Sequence, residues 1–353
     1  MKYQDLLPKN KQPIVIIGAG SIVNDAHLPA YKIASFDVAG IFDINNERAK
    51  TIAQKFGIPT VYESLEQLVE QAPENAVFDM ALPASEIISS LIALPDGAPV
   101  LIQKPMGNNY TEAKEILQIV RSKKLLAAIN FQLRYAPFIL AARGIINKGL
   151  IGDLCDIEIN VNIYHPFHLW DFLFKSERVE ILYHSIHYID LVRSFFGNPE
   201  GMYAKTVKHA KMPALASVRS SIIMNYGDWI RAIILTNHCH DFNPKYQHAY
   251  IKLEGTKGAV RINMGLLMDY PKGTGDVVEY ISNEGNPKPE WQNLEVEGTW
   301  FPEAFIGSMA QLMKAASGEI ELPDNSVEDC IYTMACVEAA YESSDKGGTK
   351  LPG

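Results

Sequence analysis

Five short apolar runs, separated by amphipathic stretches, constrain this chain more than any other feature. PIVIIG (13–18), VAGIFD (38–43), AVFDMALP (76–83), PVLIQK (99–104) and LAAINF (126–131) are rich in branched apolar side chains. Such near-continuous runs fit strands buried on both faces. Between them lie NNERAKTIAQKFG, SLEQLVEQA, ASEIISSLIALPDG and TEAKEILQIVRSKK, which read as helices. Gly57 and Gly97 stand where helix-ending glycines belong. Strand and helix in repetition predict a parallel sheet with helices on both faces, a doubly wound α/β domain.

The first strand runs into Gly18-Ala19-Gly20-Ser21-Ile22-Val23. A first glycine permits the tight turn, a second lets backbone approach a pyrophosphate, and the amides opening the next helix hold its charge. Cofactor-binding residues are therefore expected at Gly18, Gly20, Ser21 and Ile22. Val23 stands where the third glycine or alanine usually does, and should push the helix slightly away from the strand. Asp43 ends the second strand. An acid there accepts hydrogen bonds from a ribose 2′-hydroxyl and repels a 2′-phosphate, favouring NAD over NADP. Lys104 directly follows another strand, so it points to the same sheet edge. A lysine there holds a substrate hydroxyl or stabilises a forming alkoxide.

The bulk numbers bound the rest. A chain of 353 residues suggests two or three domains. A net charge of −9 and the lack of a long basic run argue against a nucleic-acid partner. The four cysteines show no CxxC spacing, which suits a reducing cytosol. The polar MKYQDLLPKNKQP start and the absence of an apolar run of ~18 residues predict a cytoplasmic protein with no membrane partner.

In the second half IEINVNIYH (157–165) alternates strictly, with Ile157, Ile159, Val161 and Ile163 on one face. SVRSSIIMNYG, WIRAIILTNHCH and HAYIKLEGTKGAVRI read as further strands, and PKGTGD and NEGNPKPE as loops. This predicts an antiparallel or mixed sheet. Histidines gather here as pairs: His165 with His168, His184 with His187, His238 with His240. On a strand, His238 and His240 share a face. No carboxylate or cysteine completes a recognised zinc spacing, so no metal is expected. Tyr164, His165 and Trp170, in a loop mixing aromatic and polar groups, suit a polyhydroxylated ring with apolar faces and polar edges.

GAGSIVNDAHLPAY, Asp43, QKP, INFQLRYAP, the histidine and aspartate of 187–197, and the closing SVEDCIYTMACVEAAYESSDKG occur in that order. The chain resembles the Gfo/Idh/MocA family of NAD(P)-dependent oxidoreductases over almost its whole length. The resemblance implies an N-terminal Rossmann domain (1–131). An α/β domain (132–353) with a large open, mainly antiparallel sheet follows, and that sheet often forms the oligomer interface, as a homodimer or homotetramer. It also implies that a last helix, about 326–345, packs back on the Rossmann domain. By this likeness Lys104 contacts substrate and nicotinamide, His187 is the acid/base, Arg134 and Tyr135 lie near the cleft, and Leu82-Pro83 flank the nicotinamide. Gln103 replaces the family's glutamate. Tyr183, with His184 beside it, replaces the aspartate usual four residues before the histidine.

The expected function is hydride transfer between NAD and a carbinol carbon of a sugar, cyclitol or related polyhydroxylated substrate. His187 would serve as general base, since an ordinary histidine titrates near neutrality. Tyr183 or His184 would orient it or relay the proton. Two alternatives stand beside this: an NAD-assisted lyase or glycosidase using transient oxidation, and a non-catalytic NAD-binding protein.

Overall fold

The computed structural model describes residues 3–270, 272–285 and 288–352. Pro271 of the PKGTGD loop, Asn286 and Pro287 of the NEGNPKPE loop, and the extreme ends of the two expected domain ranges lie outside the described residues. The chain forms two compact units. The first runs to Pro137 and takes in Trp300–Met334; the second comprises Phe138–Thr299 and the chain from Ala335 onward.

In chain order the elements are β1 (Ile14–Ile17), a π-helical turn (Val23–His27), α1 (Leu28–Ile33), β2 (Val38–Phe42), α2 (Asn46–Phe56), β3 (Thr60–Val61) and α3 (Leu65–Gln71). β4 (Val77–Met80), α4 (Ile87–Ala93), β5 (Pro99–Ile102), α5 (Tyr110–Ser122) and β6 (Leu126–Ile129) follow. Then come α6 (Pro137–Asn147), β7 (Leu154–Asn162), a second π-helical turn (Glu180–Ser185) and α7 (Ile186–Phe196). The strands β8 (Gly201–Val207), β9 (Arg219–Asn225), β10 (Arg231–Asn237), β11 (His248–Gly255), β12 (Gly258–Asn263), β13 (Val277–Ser282) and β14 (Gln292–Leu294) precede α8 (Ala304–Ala316) and α9 (Val327–Lys346).

The first unit holds a six-stranded parallel sheet in the order β3-β2-β1-β4-β5-β6. β1 and β4 are neighbours although β2 and β3 intervene in sequence, so the winding reverses there and opens a crevice at the strand ends. Every residue of β1 and β4 is buried, as their apolar composition requires. Asn45 caps α2 by accepting from the Arg48 amide, and Gly57 closes it at φ 72°. Gly97 does not play that part: α4 ends at Ala93 and Gly97 sits in the turn that enters β5. Val23 is fully buried, and the helix after the glycine loop opens with a π turn rather than a regular α turn.

α8 was not anticipated as part of the Rossmann unit. Its Phe305, Ile306, Met309 and Met313 join the core formed by Ile14, Ile16, Ala30 and Tyr31. Each such burial contributes roughly 1.5–3 kcal/mol. The expected split at 131/132 assigned this segment to the second domain. The structure gathers it with the first because its apolar face is completed by β1 and α1. The line between units falls inside α9, between Met334 and Ala335.

The second unit carries an eight-stranded sheet, β14-β13-β12-β11-β7-β10-β9-β8. Its strands pair antiparallel except β7 with β10. Ile157, Ile159 and Val161 of β7 are buried while Glu158, Asn160 and Asn162 are half-buried, which bears out the alternation.

Candidate functional site

The carboxyl ends of β1, β2, β4 and β5 bring most of the expected cofactor residues to one edge of the first unit. Gly18 takes φ +106°, and a Cβ there would lie 2.5 Å from the Ala81 carbonyl oxygen and 3.3 Å from Leu82 Cδ2. The loop lies so close to the end of β4 that a side chain has no room, so Gly18 is required by the fold itself. Gly20 differs: a Cβ placed on it meets nothing within 4 Å. The backbone there is open, which leaves room for a pyrophosphate, and the first amides of a helix have no intrahelical partner. Exposed Ser21 and half-buried Ile22 open that helix. The loop therefore fits a dinucleotide. Leu82 is half-buried and Pro83 exposed.

Asp43 is 8% exposed and already engaged. Its Oδ2 accepts from the Ala19 amide at 2.7 Å and its Oδ1 from the Asn45 amide at 2.8 Å. It thus clamps the glycine loop in addition to any ribose contact, for which each oxygen keeps a further lone pair.

A polar network that the sequence reading did not foresee lies beneath the lysine. Asp79, in the middle of β4, is fully buried and accepts from His27 Nδ1 at 2.7 Å and from the Tyr31 hydroxyl at 2.7 Å. Burial, then the Asp79 charge, pushes the Tyr31 hydroxyl well above its ordinary range. His27 Nε2 lies 3.2 Å from Gln103 Nε2 and 3.3 Å from Asn130 Nδ2. Gln103 Oε1 accepts the Lys104 amide at 2.8 Å, so its NH2 end faces His27. Two amide donors converge on Nε2, which makes His27 the neutral Nδ1–H tautomer. A glutamate at 103 has no proton to donate in its ionised form, so Gln103 and neutral His27 belong together. The clue available in sequence was an acid inside an otherwise apolar strand, since a buried carboxylate demands donors. Lys104 follows this network, and burial pushes its amine down to about 8.

Arg134 is engaged within the first unit. It is 5% exposed, donates Nη1 to the Asp324 carbonyl at 2.5 Å and pairs Nη2 with Asp329 at 2.7 Å. Its guanidinium ties Asp324, before α9, and Asp329, within it, to the turn after β6. Tyr135, also buried, donates to the Asp324 carboxylate.

In the second unit the histidines regroup. His184 Nε2 lies 3.3 Å from His165 Nε2. His165 stacks on Trp170 with centroids 5.0 Å apart and planes 8° from parallel, and Tyr270 lies 5.9 Å away. His238 joins them, its ring 4.6 Å from His184. The expected partners separate: His168 is exposed, and His240 turns to Phe242 at 5.7 Å because β10 has ended at Asn237 and the strand alternation no longer applies. His187 is buried on α7. Tyr183 packs with the apolar cluster of Phe167, Leu173 and Val179, its ring 5.4 Å from Phe172. Tyr164, expected beside His165, is 42% exposed.

Glu180 is the residue sequence reasoning missed. It is fully buried and accepts from Ser185 Oγ at 2.7 Å and from the Ser220 hydroxyl, with His238 Nε2 at 3.3 Å. Burial raises its carboxyl, but the bond and charge of His238 and the two hydroxyls outweigh that and hold it below its ordinary value.

Comparison with known proteins agrees with this arrangement. A model described as the oxidoreductase family, NAD-binding Rossmann fold, matches residues 13–131, and one for the GFO/IDH/MocA C-terminal domain matches 139–261. D-apiose dehydrogenase of Rhizobium rhizogenes is 22% identical over 343 residues, 95% of either chain. Among solved structures, an oxidoreductase from Agrobacterium radiobacter in complex with NAD+, L-tartaric acid and magnesium superposes with a TM-score of 0.78 at 20% identity, covering 96% of this chain and 98% of that one. Levoglucosan dehydrogenase with NADH and levoglucosan gives 0.77 at 18% identity, with the same coverages. At these identities the structures establish the fold.

Proposed function

Because the chain belongs to the Gfo/Idh/MocA oxidoreductase family, we propose that it transfers a hydride between NAD and a carbinol carbon of a sugar, cyclitol or related polyhydroxylated substrate. The observation that carries this is the open backbone at Gly20, on the same sheet edge as Lys104. NAD, when bound, supplies the hydride acceptor. Gly20, Ser21 and Ile22 hold its pyrophosphate, Asp43 its ribose, and Leu82, Pro83 and Gln103 line the nicotinamide end. Lys104 holds the substrate oxygen and favours its developing negative charge. His187 takes the hydroxyl proton, with Tyr183 or His184 orienting it or relaying the proton. His165 and Trp170 offer a flat face with a polar edge to the ring, and Tyr164 a hydroxyl.

Among the described residues no helix is long and apolar enough to cross a membrane. We place the protein in the cytoplasm as a homodimer or homotetramer. Support for assembly comes from the outer face of β8, β9 and β10, where Tyr203 pairs with Ile223, both at least half exposed, and Ile223 pairs with Ile233. Such a contiguous apolar face on a sheet is ordinarily covered.

The test is a sugar and cyclitol screen with NAD, read at the reduced-nicotinamide band. Lys104→Ala and His187→Ala should each lose most turnover while NAD still binds; unchanged turnover in either variant would refute its assignment. Turnover without added cofactor, by protein that carries NAD through purification, would move the reading to the lyase alternative.

A further inference from the structure

The second unit contains a buried carboxylate that has a histidine among its hydrogen-bond partners. Glu180 is fully buried, and His238 is its one ion-pair partner among the described residues. An ionised carboxylate out of water demands a partner that is charged or donates strongly. With Ser185 and Ser220 donating to the same carboxylate, His238 presents Nε2–H to it. That choice fixes the tautomer. It leaves Nδ1 as the second ring nitrogen, buried and without a hydrogen-bond partner among the described residues. The same division of labour, a carboxylate orienting one nitrogen and freeing the other for proton transfer, is the logic of acid–base dyads.

What packs against His238 is also imidazole. Its ring lies 4.6 Å from that of His184 and 5.6 Å from that of His165. His184 and His165 meet through their Nε2 atoms at 3.3 Å, so one brings a proton and the other a lone pair. Exposure rises along the row: Glu180 is 0% and His238 2% exposed, His165 7%, and His184 is half-buried. Tyrosines also face the row. Tyr188 and Tyr341 are kept neutral, first by burial and then by the Glu180 charge, and Tyr270 stands beside His165.

We propose that Glu180 and His238 form a carboxylate–imidazole dyad whose negative charge supports a proton relay through the packed His184–His165 pair, in place of the acid this chain lacks at Tyr183. A proton that arrives on Nδ1 of His184 releases the one on its Nε2 to His165 Nε2, so the imidazole pair gains one positive charge, which the buried Glu180 carboxylate offsets. Glu180 and His238 are positioning residues; His184 is the member on the same helical stretch as His187. The relay's part in turnover rests on the dehydrogenase reading, while its charge state does not.

The deciding experiment follows the imidazole 15N signals of the full chain from pH 5 to 9, in wild type and in Glu180→Gln. The relay predicts that His238, His184 and His165 titrate as a coupled set. It predicts a fall of at least tenfold in the proton affinity of His238 in Glu180→Gln, with the other two shifting in step. Independent curves, or curves that Glu180→Gln leaves in place, overturn the proposal. His238→Asn replaces Glu180→Gln if the latter does not fold, and must then shift His184 and His165 together. With NAD and a panel of D-apiose, myo-inositol and levoglucosan, any turnover should show a pH profile displaced in Glu180→Gln and restored in Glu180→Asp, at unchanged KM for NAD. A profile the same in all three proteins counts against the relay. Loss of the dehydrogenase reading would show instead as His187→Ala with full activity, and would leave the 15N result standing.

Discussion

Replacing Gly20 with alanine should leave the fold intact and cost NAD affinity, whereas Gly18→Ala should cost the fold. At Gly18 the backbone takes φ +106° and an added Cβ would sit 2.5 Å from the Ala81 carbonyl oxygen. Backbone strain of this kind costs about 1–3 kcal/mol, and forcing a methyl into packed backbone about 1–3 kcal/mol more. In a unit of this size each kcal/mol lowers Tm by about 2–4 °C, so a drop of roughly 5–20 °C is expected. At Gly20 the same methyl meets nothing within 4 Å, and stability should change by less than about 0.5 kcal/mol. If the pyrophosphate rests on this backbone, the methyl displaces it and breaks at least one charge-assisted hydrogen bond, worth about 1.5–3 kcal/mol. That corresponds to a Kd for NADH about 10–150-fold weaker. Thermal melts and NADH titration by fluorescence measure both quantities on both variants. Two results refute the reasoning: Gly20→Ala melting as early as Gly18→Ala, or binding NADH as tightly as the natural chain.

Two further outcomes follow from the same geometry. If Lys104 must be charged to hold the substrate oxygen, kcat/KM should fall as pH rises through about 8, because burial lowers its amine to that value. Lys104→Arg, whose guanidinium stays charged, should remove the fall, and a fall that persists unchanged assigns it to another group. Arg134→Ala should lower stability by about 1.5–3 kcal/mol in denaturant melts, the range for a charged hydrogen bond, because its donors hold Asp324 and Asp329. Substrate KM should then stay unchanged, and a raised KM at normal stability would return Arg134 to the substrate site.

The parallel sheet was readable in advance because its strands are buried on both faces and so carry near-unbroken apolar runs bounded by turns. The alternation of β7 was equally plain, since one face meets the core and the other does not. Glycine, aspartate and lysine at strand ends could be placed on one edge because parallel winding puts all carboxyl ends together. α8 escaped because its partners, β1 and α1, lie far from it in sequence. The partners of Arg134 escaped for a related reason: a motif reports which residue is present, but only the fold reveals that Asp324 and Asp329 arrive beside it.

The histidines divide the two kinds of information most clearly. Spacing joined His165 to His168 and His238 to His240, since local geometry is all that a sequence contains. Tertiary structure broke both pairs and assembled His165, His184 and His238 instead, with Glu180 beneath them. Sequence by itself settled the strands of the parallel sheet, their winding and the edge where a dinucleotide fits, because those follow from local periodicity and from the handedness of strand–helix–strand units. Which polar groups share a buried space was decided only by folding, because burial forces each charge to find its donors wherever the packed chain brings them.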